Sequence, residues 1–385
     1  MFTVKIAAAL FAVSVLVAGV GTESVREAGY ERGPALVTTC TAITDPGEYE
    51  LTRDVVSERY DCFRIESDGV VLDGGGHEIT PSDGLRELGV RLAMPTPDHV
   101  GVGVRVGSRR PVAAVTVRNV RFVGLDVGVS VSNAENVRIS GVGAEDVATG
   151  ILVTSSGDVF VTNSVVVGSA EDGVVVRDST GVVVADTTVE DGLVAGVVLE
   201  SVEDGRLTRV RARGNDGDGL LVAESDGVAL DSSRAEANGV GLLLMDSHGV
   251  AVTGLVAERN EFAGVGLVRS DGNRIRDVRV GGTTGRRPVL DAPSDLWLYA
   301  SSENCAENVS VEGGGGWVVY MRDGSTDNRV AALTDGLSSV SFVGSDVAVA
   351  FGDALGESGR SSGGAPVVEP TGPAWSYDPA TAACS

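Results

Sequence analysis

Short alternations of apolar and polar residues restart along this chain at a recurrent glycine. Gly128, Gly150, Gly173, Gly196, Gly219, Gly241 and Gly264 follow one another at spacings of 22 or 23 residues. An apolar pair of period two follows each one: Val129/Val131, Ile151/Val153, Val174/Val176, Val197/Leu199, Leu220/Val222, Leu242/Leu244 and Val265/Leu267. A second pair lies nine and eleven residues past the glycine, as in Val159/Val161 and Val250/Val252, and weakens to Gly205/Leu207 and Asn273/Ile275. A third, smaller pair lies at fourteen and sixteen, as in Thr187/Val189 and Leu255/Ala257. Period-two alternation places successive side chains on opposite faces of a strand. Three strand-sized pairs per period, separated by Ser, Asp, Asn and Gly, describe one triangular coil. Repeats of this length signal a solenoid, whose coils bury their inward side chains only against neighbours. The expected fold is all-β: a parallel β-helix of 22–23 residues and three short strands per coil.

Two turn signals repeat in the same register. Ser156, Ser179, Ser225, Ser247 and Ser270 stand six residues past the glycine. Gly181, Gly227, Gly249 and Gly272 stand eight past it, where a positive φ is expected. Two residues past the glycine the side chain should face outward, yet the series reads Leu152, Val175, Val198, Leu221, Leu243. An aliphatic stripe of that length calls for a cover. The first reading is the chain's own C-terminal arm or the loops around 81–100, and the second is a homo-oligomer contact.

The ends divide the chain further. Residues 1–28 read as a signal peptide or N-terminal anchor, because Lys5 precedes an apolar run of about 15 residues, short for a membrane span. Residues 29–80 read as a cap with the first coils, 81–280 as the regular helix, 281–355 as less regular coils, and 356–385 as a Gly/Ser/Pro-rich tail. An extracellular or cell-surface location is expected. Four cysteines fit it and allow three pairings. Cys40 with Cys62 and Cys305 with Cys384 is the favoured one.

Charge narrows the partners. The formal net charge is −24, and Lys5 is the single lysine. Such a surface repels nucleic acid and anionic membranes. The excess of Asp and Glu resembles the composition of salt-loving organisms, in whose molar salt the Debye length is about 3 Å.

The opening "CTAITDPGEYELTRDV…DCFRIESDGVVLDGGGHEIT" and the repeats "GILVTSSGDVFVTNS" and "GVVVRDSTGVVVADT" resemble haloarchaeal NosD-like proteins with right-handed β-helix repeats. The likeness is good over about residues 40–280 and weak over 300–352. It implies a right-handed coil. That fold serves NosD copper-enzyme maturation factors, pectate lyases, polygalacturonases, alginate epimerases and non-catalytic surface proteins, so it fixes architecture better than function.

The chemistry on offer is sparse. Copper handling needs clustered soft ligands, whereas His77, His99 and His248 fall in unrelated positions and the four methionines are scattered. The polygalacturonase carboxylate motifs and the epimerase D-P-H are absent, "TPDHV" having its letters in another order. Acidic turns stack just before the recurrent glycine, and Asp172, Asp191, Asp216 and Asp218 offer oxygen ligands for Ca²⁺, against the plainer reading of a hydrated acidic edge; no other cofactor is expected. Arg209, Arg211, Arg213 and Arg234 offer guanidinium forks for the carboxylates of an anionic polysaccharide. Their plainer reading is a salt-bridge ladder to Glu190, Glu236 and Glu258. The expected function is a non-catalytic exported scaffold that binds carbohydrate or a cell-surface protein. A polysaccharide lyase, epimerase or hydrolase is the alternative.

Overall fold

Identical apolar ladders can be buried only if each strand lies in register on the equivalent strand one period later. A computed structural model has that arrangement. It describes residues 33–91, 100–107, 109–284, 294–312, 317–322, 324–334 and 346–351. Every strand pairing within it is parallel, and the coils form a β-solenoid.

The first face carries the pair that follows the recurrent glycine. Its inner column runs Phe63, Val104, Val129, Ile151, Val174, Val197, Leu220, Leu242, Val265, Leu296, Val319. None of these is more than 3% exposed, so the hollow is a dry, continuous core. On the second face Val137, Val159 and then Ile139, Val161, Val184, Leu207, Leu230, Val252 and Ile275 stack likewise. The third face stacks Phe122, Ala144, Val166, Val189, Ala212, Ala235, Ala257 and Val280.

The recurrent glycine is required by space, since these residues do not have positive φ. A Cβ at Gly173 would lie 2.2 Å from Val189 Cγ1, and one at Gly196 would lie 2.6 Å from the carbonyl oxygen of Gly219. The coils approach too closely there for any side chain. Glycine at the other turn position does need its freedom: Gly181, Gly227, Gly249 and Gly272 have φ of 61–67°.

Polar ladders close the inner corners. At this corner the serine hydroxyls accept the backbone N–H of the coil before them: Ser179 from Ser156, Ser225 from Val202, Ser247 from Ser225, Ser270 from Ser247. Two asparagine ladders, not foreseen from sequence, do the same with more bonds. Asn215 Nδ2 donates to Asn238 Oδ1 at 2.9 Å, and Asn238 Nδ2 donates to Asn260 Oδ1 at 3.3 Å. Asn273, Asn304 and Asn328 repeat the arrangement on the second face. Asn273 is therefore the first rung of a polar ladder where the sequence suggested a weakened apolar pair.

Stacking continues past residue 280: Ser294–Tyr299, Cys305–Glu312, Trp317–Arg322, Thr326–Thr334 and Asp346–Phe351 all join the three faces or their ends. One helix, Asp83–Arg91, interrupts the early coils, with the Ser82 hydroxyl accepting from Leu85 N–H. It carries no solenoid repeat and was not anticipated. Cys40 and Cys62 are joined by a disulfide. Cys305 is disulfide-bonded, while Cys384, the signal or anchor segment expected over 1–28 and the tail expected over 356–385 lie outside the described residues.

Two substitutions test this packing. Leu220→Ala should cost about 2–5 kcal/mol through reduced burial and a cavity. Gly196→Ala should cost about 1–3 kcal/mol through overpacking. Denaturant unfolding midpoints measure both, and near-neutral values would contradict the close stacking.

Candidate functional site

Outward side chains on a solenoid are freed from packing, so their pairing shows what the surface is built to do. Many arginines clip one coil to the next. Arg105 Nη2 lies 2.9 Å from Asp61, Arg118 Nε 2.8 Å from Asp73, Arg177 Nε 2.6 Å from Glu200, and Arg269 Nη2 2.6 Å from Asp246. Arg209 belongs to this set. It sits at the corner between the second and third faces with φ 51°, and its fork grips Asp186 at 2.6 and 2.7 Å. That contact holds the Asp186 carboxyl below its ordinary pKa. Arg234 is also engaged, since it donates to Glu236, which accepts from Arg259 Nη2 at 2.7 Å as well. Burial pushes the Glu236 carboxyl up, but the guanidinium groups of Arg234, Arg259 and, at longer range, Arg211 outweigh it, and its pKa is lowered.

The same coil holds three exposed arginines that, among the described residues, make no hydrogen bond or ion pair: Arg206, Arg211 and Arg213. Arg206 stacks between Val183 and Ala229, which offer no charge. Arg211 stacks between Thr188 and Arg234. Arg213 lies between Glu190 and Glu236 in its column yet pairs with neither, because Glu236 is already held by Arg234 and Arg259. Arg211 and Arg213 alternate on one strand and are about 6.7 Å apart along it, with coils about 4.8 Å apart across it. Of the four arginines singled out from sequence, Arg209 staples two coils, Arg234 is held by Glu236 on its own strand, and Arg211 and Arg213 remain available. Arg206 joins them.

The four aspartates do not converge. Asp172 and Asp218 flank Ala195 on the first face, each just before a recurrent glycine, and Ala195 N–H donates to Asp172 Oδ1 at 3.0 Å. Asp191 is a corner residue with φ 57°, and Asp216 lies in the loop where its N–H donates to the Gly192 carbonyl. Among the described residues no group of three or more His, Cys, Asp or Glu side chains is placed to hold a metal. The structure places Asp172 and Asp218 as one carboxylate pair and Asp191 and Asp216 as two separate turn residues.

Within that pair, burial first and the charge of Asp172 second push the Asp218 carboxyl up to about 6.

A family comparison gives the chain its place. The family described as "Periplasmic copper-binding protein (NosD)" matches residues 108–227 and 196–332, more than half of the sequence. The chain belongs to the NosD family. Solved structures fix the fold alone. The A-module of mannuronan C-5 epimerase AlgE6 from Azotobacter vinelandii is 17% identical with a TM-score of 0.68, covering 80% of this chain and 91% of that one. The catalytic unit of a GH87 alpha-1,3-glucanase from Streptomyces thermodiastaticus is 14% identical at TM-score 0.55, covering 77% and 60%. PfbA, a surface adhesin of Streptococcus pneumoniae, is 10% identical at TM-score 0.51, covering 78% and 82%. No curated protein sequence matches. Family and neighbours together make this a right-handed parallel β-helix, and the family's periplasmic description and the Cys40–Cys62 disulfide are compatible with export.

Among the described residues, the donors of this NosD chain do not fit the copper in the family's description. His77 Nδ1 is 3.2 Å from Asp54, and His248 Nδ1 accepts from Asp271 N–H. Met321 is fully buried in the solenoid. Cys40, Cys62 and Cys305 are disulfide-bonded and offer no thiolate, while His99 lies outside the described residues.

One titration follows from Asp218. Unfolded, its carboxyl titrates near about 3.9, so the folded state holds the proton more tightly. Its stability contribution then falls as pH rises from about 4 to about 6 and is level above that. Asp218→Asn should remove this slope and stabilise the protein at pH 7 by about 1–2 kcal/mol, the full shift being discounted for partial exposure. Urea unfolding from pH 4 to 8 measures it, and an unchanged slope would contradict the assignment.

Proposed function

We propose that this NosD-family solenoid is an exported, non-catalytic scaffold that binds an acidic polysaccharide through Arg206, Arg211 and Arg213. The observation that carries this reading is the unpaired trio on one coil of a chain with a net charge of −24, whose other arginines so often staple carboxylates. A guanidinium fork receives a carboxylate through two parallel hydrogen bonds. Rigid strands hold two of these forks in fixed register, so little order is lost when a chain of uronates settles across them. The acidic surround repels a polyanion at long range, and salt screens that repulsion within a few ångströms at molar strength. Carbohydrate-active enzymes and a surface adhesin among proteins of this fold support the reading.

A polysaccharide-active enzyme is the second reading, favoured by the raised pKa of Asp218 beside Asp172. A carboxyl near 6 suits general acid catalysis. Its surroundings weigh against that role, since the outward neighbours Val175 and Val198 are aliphatic and almost fully covered.

Titration calorimetry with polygalacturonate and with neutral dextran separates the readings. Binding of polygalacturonate alone is expected, without unsaturated or shortened products. The triple variant Arg206→Gln, Arg211→Gln, Arg213→Gln should bind at least about 30-fold more weakly, since removing a charged hydrogen-bonding fork weakens binding roughly tenfold, with an unchanged melting temperature. Equal binding by the variant would overturn the site, and product formation would favour the enzyme.

A further inference from the structure

The outer row of the first face is longer than the aliphatic stripe read from sequence. In strict register it runs Leu152, Val175, Val198, Leu221, Leu243, Gly266, Trp297 and Tyr320. The Trp297 indole lies over Gly266, where a Cβ would meet it at 3.1 Å. Phe262 meets Trp297 edge-on with ring centroids 5.3 Å apart, and Tyr299 lies 6.2 Å from it. Val240, Phe262, Ala263 and Trp297 form an apolar cluster of their own, separate from the interior of the solenoid. Val175 and Val198 also face outward, yet they are only 2% and 4% exposed.

The occupant is indicated by cysteine arithmetic. Cys40 and Cys62 are joined to each other, Cys305 is disulfide-bonded, and the sequence has one further cysteine, Cys384. Cys305 stands on the second face, eight residues after Trp297 along the same coil. Trp375 and Tyr377 precede Cys384 by nine and seven residues. An extended chain spans about 3.3 Å per residue, so both rings reach the Trp297 cluster from a Cys305–Cys384 anchor. The other end of the segment leaves from Asp346–Phe351, which is paired to the preceding strand. The stretch "APVVEPTGPAWSY", Ala365 to Tyr377, carries three prolines, which favour an extended conformation with little entropy left to lose.

We infer that the C-terminal segment 352–385, tethered by Cys384 to Cys305, is the strap that covers the outer apolar row of the first face. It keeps the row from recruiting a second copy. This inference concerns a different face from the arginine trio and does not rest on polysaccharide binding.

Peptide mapping of the full, non-reduced chain should give a Cys305–Cys384 linked pair; an intermolecular Cys305 bond would overturn the tether. In the full chain, Trp375→Ala with Tyr377→Ala should raise binding of an apolar dye such as ANS several-fold, with the far-UV circular dichroism unchanged. Truncation after Phe351 should do the same and shift the protein from monomer to dimer by light scattering. No rise in dye binding in either variant would overturn the strap. So would a parent protein that is already dimeric, or a rise produced instead by removing residues 1–32.

Discussion

Each coil of this protein is folded because the coil on either side supplies the second half of its hydrogen bonds and the floor and ceiling of its core. A single coil has no interior: Val174 is sealed only because Ile151 and Val197 lie above and below it. Everything that repeats follows from that dependence. The recurrent glycine repeats because two backbones meet where no Cβ fits. Serine and asparagine repeat because a buried corner must pair its N–H groups, and a side chain stacked on its own copy one coil later does so without water.

The same geometry explains why function is confined to the outside. The interior is filled by side chains, so catalytic or binding groups must lie on outer faces, edges or corners. There, columns of like position bring residues from successive coils about 4.8 Å apart, and charge has to be arranged along columns. Arg209 on Asp186 and Arg269 on Asp246 are solutions to that requirement. Arg211 beneath Arg234 is an exception, tolerable because Glu236 neutralises Arg234. The result is a local positive edge on a strongly acidic molecule.

Much of this was legible from the chain itself. The inner columns, the serine corner and the positive φ of Gly181 and its equivalents follow from residue type at fixed spacing, and the Cys40–Cys62 pairing was the favoured one of three. The asparagine ladders were missed because asparagine between strands reads as a turn residue. Asn215, Asn238 and Asn260 do recur at 23 and 22 residues, and that spacing was the available signal. The aromatic end of the first face was hidden by an insertion: Ser270 and Ser301 stack directly although 31 residues separate them. Which arginines stay free was not legible, because it depends on whether a corner residue such as Arg209 turns its fork along the axis. The separation of Asp191 and Asp216 from the Asp172–Asp218 pair was hidden for a related reason, since acidic residues adjacent in sequence lie on different faces or corners.

Deleting one whole period tests the coil-on-coil dependence most directly. Removal of the 23 residues Gly173–Ala195 leaves Gly150's coil to stack on Gly196's in register, with Ile151 against Val197. That variant should remain soluble, keep β-type circular dichroism and unfold cooperatively. Removal of residues 173–184 alone leaves the coils out of phase and should abolish cooperative unfolding. If the two deletions behave alike, in either direction, register between successive coils is not what holds this fold together.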